Sequence, residues 1–153
     1  MKRRTLLKGT LAAGTVGMAV AAGLVAPRAV LAAWPKEAFE ADSISAAMKG
    51  IAGSDQAADG EIEIKAPDIA ENGAVVPVTV STGISGVESI SILAAENGNP
   101  LTSSYMLGAN TDPFVSTRIK MGKTSDVIAM VKANGKLYSS RKEVKVTIGG
   151  CGG

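Results

Sequence analysis

From Gly60 onward apolar residues recur at every second position, and turn-forming clusters interrupt them at short intervals. The apolar 46% is mostly aliphatic, with two Phe, two Tyr and one Trp. Together these observations predict a mainly β chain: an antiparallel β-sandwich of immunoglobulin-like type, with a short N-terminal helix before it and a flexible C-terminal Gly-Gly-Cys-Gly-Gly arm after it. A chain of 153 residues suits one such domain and is too short for two sizeable cores.

The helix is read in KEAFEADSISAAMKGIAGS, which follows Trp34-Pro35. Ile44, Ala47, Met48 and Ile51 recur at helical spacing, and Gly50 and Gly53 supply a stop. Strands then follow: Glu61-Ile62-Glu63-Ile64; Val76, Val78 and Val80 on one face; Ile90 and Ile92 against Ser89 and Ser91. Whether Ser91 to Ala95 extends that last strand or opens a loop is left undecided by the pattern. Leu101 to Leu107, Val115 to Met121, the nearly continuous apolar run Asp126 to Ala133, Lys136 to Ser140, and Glu143 to Ile148 complete the set. Turn signals separate them at Glu71-Asn72-Gly73, Asn97-Gly98-Asn99-Pro100, Thr111-Asp112-Pro113 and Asn134-Gly135, the last a strong two-residue hairpin signal. Pro77 predicts an edge strand or a bulge, because proline donates no ladder hydrogen bond.

There is no histidine, which removes histidine-activated nucleophiles, HExxH zinc sites and imidazole acid–base chemistry. One cysteine excludes an internal disulfide, a CxxC redox pair and multi-cysteine metal centres. Asp55, Asp59, Glu61 and Glu63 form an acidic group without calcium-loop spacing, and alternation sends Glu61 and Glu63 to solvent. Met106, Met121 and Met130 read as core fillers, not copper ligands. Tyr105, Met106 and Phe114 read as core packing in preference to a partner surface. No metal and no resident cofactor is expected.

The chain opens MKRRTLLKGT, continues through an uncharged Ala/Gly/Val stretch, and reaches AVLAAW. Adjacent Arg3 and Arg4 ahead of Leu6 and Leu7 fit a twin-arginine export signal, with a cut after Ala32 or Ala33. Gly9 to Pro27 approaches membrane-spanning length, but its glycines and alanines make it weakly hydrophobic, so it reads as a removed segment and not an anchor. The expected division is residues 1–33 as signal, 34–148 as helix plus sandwich, and 149–153 as carrier arm. The first 33 residues hold five basic residues and no acidic one, leaving 11 basic against 14 acidic in the remainder. That balance argues against a nucleic-acid partner. The mature protein is expected to be periplasmic, with no membrane attachment.

The end of the chain carries the chemistry. In VKVTIGGCGG, alternation ties Val144, Val146 and Ile148 to one face of a sheet, and Cys151 then stands among Gly149, Gly150, Gly152 and Gly153. Glycine loses the most conformational entropy on ordering, so these residues are expected to form a slim tether. It projects the sulfur roughly 10 Å from the sheet. A free thiol in an oxidising compartment is a hazard unless used, and the chemistry open to it is covalent carriage of a sulfur compound. With no cation in the arm, activation of the thiol is expected to come from the partner's site.

The terminal VKVTIGGCGG, the twin-arginine start and the opening AWPKEAFEA together resemble the SoxY family, the sulfur-carrier subunits of the bacterial periplasmic thiosulfate-oxidising Sox system. The resemblance runs over essentially the whole chain. It implies a non-catalytic subunit that pairs with SoxZ and bears sulfur intermediates on the residue matching Cys151. It also implies transient partners: SoxXA, a c-type cytochrome complex that couples thiosulfate to the thiol; SoxB, which hydrolyses off sulfate; and, in organisms that have it, the sulfane dehydrogenase SoxCD. Two other readings remain in view. One is a structural or binding β-sandwich whose cysteine is incidental or links two copies. The other is a cytosolic carrier activated at the carboxylate of Gly153, which the signal segment argues against.

Overall fold

The computed structural model describes residues 35–149. The signal segment 1–33, with Arg3 and Arg4, lies outside the described residues, as do Gly150, Cys151, Gly152 and Gly153.

Two helices open the described chain: α1 (Lys36–Phe39) and α2 (Ile44–Ala52). The sequence predicts one. The break falls at Ser43, whose extended backbone leaves its hydroxyl free to accept a hydrogen bond from the Ala46 amide at the start of α2. Gly53, at φ 75°, ends α2 with its amide on the Lys49 carbonyl. Gly50 lets the helices meet closely, since a Cβ there would stand 2.7 Å from the Ala38 Cβ.

Nine strands follow: β1 (Ala58–Asp59), β2 (Ile62–Lys65), β3 (Ile69–Ala70), β4 (Val76–Thr82), β5 (Val87–Ala94), β6 (Leu101–Met106), β7 (Phe114–Ile119), β8 (Ser125–Ala133) and β9 (Lys136–Val146). The larger sheet runs β1-β9-β8-β5-β6, with β3 also on β9, and the smaller runs β2-β4-β7. Neighbours are antiparallel except that β1 and β3 lie parallel to β9. This is the predicted mainly β, two-sheet sandwich with helical structure before it. Lys136–Ser140 and Glu143–Ile148, predicted as separate strands, are one: β9 pairs with β8 without a break from Lys136 to Val144. Arg141 and Lys142 do not interrupt it, because each has a place opposite Ile128 or Val127 and a charged partner, Asp126 at 3.8 Å and Asp68 at 3.1 Å. The undecided stretch resolves as strand to Ala94 and turn from Ala95.

Between the sheets lie Val76, Val78 and Val80 from one side and Ile90, Ile92, Val127, Ala129 and Val131 from the other, all at most 1% exposed. Burying each of the valine and isoleucine side chains is worth about 1.5–3 kcal/mol. A second cluster joins Ala38, Ala47 and Met48 of the helices to Leu93, Leu101, Ile128 and Met130 on the opposite face of the larger sheet. Strands β5 and β8 are therefore covered on both faces, which is why Asp126 to Ala133 reads as continuously apolar.

Three expectations need correction. Pro77 sits in β4, the middle strand of its sheet, and not in an edge strand. It is tolerated because β2 ends opposite Thr79, so at Pro77 only Arg118 of β7 faces it. Phe114 is 56% exposed: it is in phase with the outward Ser116 and Arg118, on the uncovered face of the smaller sheet. Met106, at 81% exposure, pairs with Ser89 at the end of β6 away from the helix-covered cluster. Tyr105 does pack against the main core, and Met121 and Met130 are buried in the two clusters as core fillers.

Candidate functional site

The site is the end of the sandwich from which the carboxyl terminus leaves. Strand β9 delivers it there, and the chain remains bound past the end of that strand. On one side, the hydroxyl of Thr124 accepts from the Val146 amide at 2.8 Å and reaches the Val146 carbonyl at 3.4 Å, doing with a side chain what β8 does with its backbone up to Ser125. On the other side, the Asp68 carbonyl accepts from Lys145 at 3.0 Å, and the Ala70 carbonyl accepts from Thr147 at 3.1 Å. The Thr147 hydroxyl donates to the Glu71 carbonyl at 3.1 Å. The buried Gly73 then donates its amide to the Ile148 carbonyl at 2.8 Å, while its own carbonyl accepts from Met121 at 2.7 Å.

Gly149 is the one arm residue among those described. It lies against Gly122, where an added Cβ would overlap the Gly122 carbonyl oxygen and stand 3.4 Å from its carbon. The loop that presents Gly122 is held by Asn97, which donates from Nδ2 to the Lys120 carbonyl at 2.7 Å and accepts at Oδ1 from the Gly122 amide at 3.0 Å. Gly149 is thus required by space at this contact. Sequence reasoning reads the Asn97 cluster as a turn and passes over Gly122 and Thr124. The available signal is the Met121-Gly122-Lys123-Thr124 stretch, a break between strands that places a glycine and a hydroxyl level with the chain's exit.

The other candidate groups lie elsewhere and serve the scaffold. Asp55 accepts from Lys49 at 2.9 Å and from the Ser45 hydroxyl at 2.9 Å, and the Lys49 hydrogen bond, then that of Ser45, holds its carboxyl below the ordinary range. Glu63 faces solvent, with Lys65 at 3.4 Å and the Ser81 hydroxyl at 3.3 Å. Among the described residues no group of three or more His, Cys, Asp or Glu is arranged to hold a metal ion. None of their helices is long and apolar enough to cross a membrane.

The family model described as "Sulfur oxidation protein SoxY" matches residues 48–151, a span that includes Cys151 and the whole sheet boundary before it. A solved structure similar to the chain is that of the sulfur carrier protein SoxY from Chlorobium limicola f thiosulfatophilum, with 43% sequence identity and a TM-score of 0.63. The match covers 74% of this chain and all of that one. No curated protein matches the chain.

Proposed function

As the chain belongs to the SoxY family, we propose that it is the sulfur carrier of a Sox thiosulfate-oxidising system, with Cys151 as the point of covalent attachment. What supports the assignment to Cys151 is one juxtaposition: the chain's single cysteine stands two residues along the sequence from Gly149, which lies against Gly122 of the sandwich. The sequence holds no second cysteine with which that thiol could pair.

Loading joins the outer sulfur of thiosulfate to the Cys151 sulfur, forming a disulfide-type bond to a sulfonate. The thiol proton is released, and two electrons pass to a c-type cytochrome complex, the role of SoxXA. Hydrolysis by SoxB adds water across the bond to the sulfonate sulfur, releasing sulfate and a proton and leaving a persulfide on Cys151. Where SoxCD is present, it oxidises the remaining outer sulfur. In none of these steps does the carrier supply an acid, a base or a metal, so it acts as a substrate-bearing subunit and not as a catalyst. Residues 149–153 form the carrier arm on the body 34–148. Residues 1–33 direct the chain through the twin-arginine route to the periplasm and are removed. SoxZ is the expected heterodimer partner.

Intact-mass spectrometry of the protein from its native compartment tests this reading. Thiosulfonate or persulfide additions confined to the peptide containing Cys151 are expected. Thiosulfate-dependent respiration unaffected by Cys151→Ser would overturn carriage through this thiol.

A further inference from the structure

We propose that Asn72-Gly73 is a self-modifying site, at which the chain deamidates itself when the seat of residues 147–149 opens. Asparagine is thermolabile, and most of all before glycine, because a residue without a Cβ lets its backbone nitrogen close on the preceding carboxamide. The sequence holds three such pairs: Asn72-Gly73, Asn97-Gly98 and Asn134-Gly135. The step is intramolecular. The backbone nitrogen of the glycine bonds to the asparagine Cγ, the Cγ–Nδ2 bond breaks, and the amide proton leaves with that nitrogen as ammonia. Water then opens the cyclic imide at either carbonyl, leaving aspartate or isoaspartate. No oxidant, reductant or enzyme takes part.

The fold separates the three pairs. Asn97 commits both ends of its carboxamide to the loop after β7, donating from Nδ2 to the Lys120 carbonyl and accepting at Oδ1 from the Gly122 amide. At Asn134, Nδ2 donates to the Ser85 carbonyl at 3.0 Å, and the Gly135 nitrogen, which would attack, donates to Glu88 Oε1 at 3.1 Å. Leaving group and nucleophile are both held there. Asn72 is exposed, and its Nδ2 has no hydrogen bond among the described residues. Its Oδ1 accepts from the Ala74 amide at 2.9 Å, an Asx turn that keeps the carboxamide beside the backbone that follows it. The same donor meets the oxygen on which negative charge develops as Cγ is attacked. One restraint remains: the buried Gly73 amide donates to the Ile148 carbonyl at 2.8 Å. While that bond stands, the nitrogen keeps its proton, and local opening of the chain end frees it.

The product acts back on its guard. Isoaspartate carries the chain through Cβ, which inserts an extra backbone atom directly before Gly73 and moves its amide off the Ile148 carbonyl. Each conversion therefore makes the next opening easier, and the root of the arm loosens with the age of the molecule.

The test incubates the folded full-length protein at neutral and mildly alkaline pH and follows each site by peptide mapping that separates asparagine, aspartate and isoaspartate. Asn72 should convert ahead of Asn97 and Asn134, and faster at the higher pH. In strong urea, where all three pairs are equally free, the rates should draw together. Gly149→Ala, which drives a Cβ into the Gly122 carbonyl, should speed conversion of Asn72 about tenfold, in step with exchange of the Gly73 amide. Gly150→Ala should leave the rate unchanged. If Gly149→Ala does not fold, Thr147→Val, which removes the hydroxyl bond to the Glu71 carbonyl, takes its place with a smaller rise. Conversion of Asn97 or Asn134 as fast as that of Asn72 in the folded protein overturns the site. So does a variant in which Gly73 exchange rises while the Asn72 rate stays at the wild-type value, since the Ile148 bond is then not the guard.

Discussion

The Gly73 amide donates to the Ile148 carbonyl at 2.8 Å, and through its own carbonyl Gly73 also accepts from Met121 at 2.7 Å. One buried residue thus ties the end of the chain to the loop after β7. The last residues of the body are held from two directions.

Thr124 replaces a strand residue with a hydroxyl. In Thr124→Val the Val146 amide loses its acceptor, and stability should fall by about 0.5–1.5 kcal/mol, the net worth of one such bond. Thr124→Ser should keep most of it. Hydrogen exchange at Val146 is the measurement: faster in the Val variant, near wild type in the Ser variant.

Gly149 and Gly150 should behave differently. Gly149→Ala drives a Cβ into the Gly122 carbonyl, so the chain end or the 120–124 loop must shift. Exchange of the Gly73 amide should then rise roughly tenfold, for a local opening made about 1.4 kcal/mol easier. Gly150→Ala should leave that amide as it is. Equal effects from the two substitutions would contradict the contact described above.

At the other end of the sandwich, Gly86 has φ 71° and its Cβ position is occupied by the Asn134 side chain. Asn134 donates from Nδ2 to the Ser85 carbonyl at 3.0 Å. Gly86→Ala should cost about 1–3 kcal/mol through both backbone and contact. A lowered urea midpoint with an unchanged slope is the expected result.

Asp55 supplies a pH dependence. Its carboxyl is held low chiefly by the hydrogen bond from Lys49 and then by that from Ser45. A depressed folded-state pKa means the native state binds the proton more weakly. The contribution is thus complete above the ordinary value of about 3.9 and is lost as pH falls through the folded value. Carboxyl NMR titration should give a midpoint below that ordinary value, returning toward it in Lys49→Met and, by less, in Ser45→Ala.

The elements most legible in the sequence are those whose signals come from single residues or strict alternation. Asn134-Gly135 makes the β8–β9 hairpin with φ 49° and 72°, and Val76, Val78 and Val80 point inward as their spacing requires. Less legible is whatever depends on what covers a face. Leu93 and Ile128 are buried by helices on the far side of the sheet, while Met106 lies beyond their cover, and nothing in the local pattern at Met106 distinguishes the two situations. At the site, the cysteine in its glycine frame announces itself. Its support does not, because the Thr124 hydroxyl and the Asn97 amide group meet backbone groups more than twenty residues away, and Gly122 meets Gly149 through its carbonyl, pairings that no local pattern announces.

Strand β9 bridges nearly everything: it pairs with β8 along its length and also with β1 and β3. Among the described strands it comes latest in the sequence, so the larger sheet lacks the member between its β1/β3 side and β8 until Lys136–Val146 has been made. A polypeptide truncated before Lys136 cannot close that sheet and leaves the β8 edge open to proteases, whereas the completed body does not.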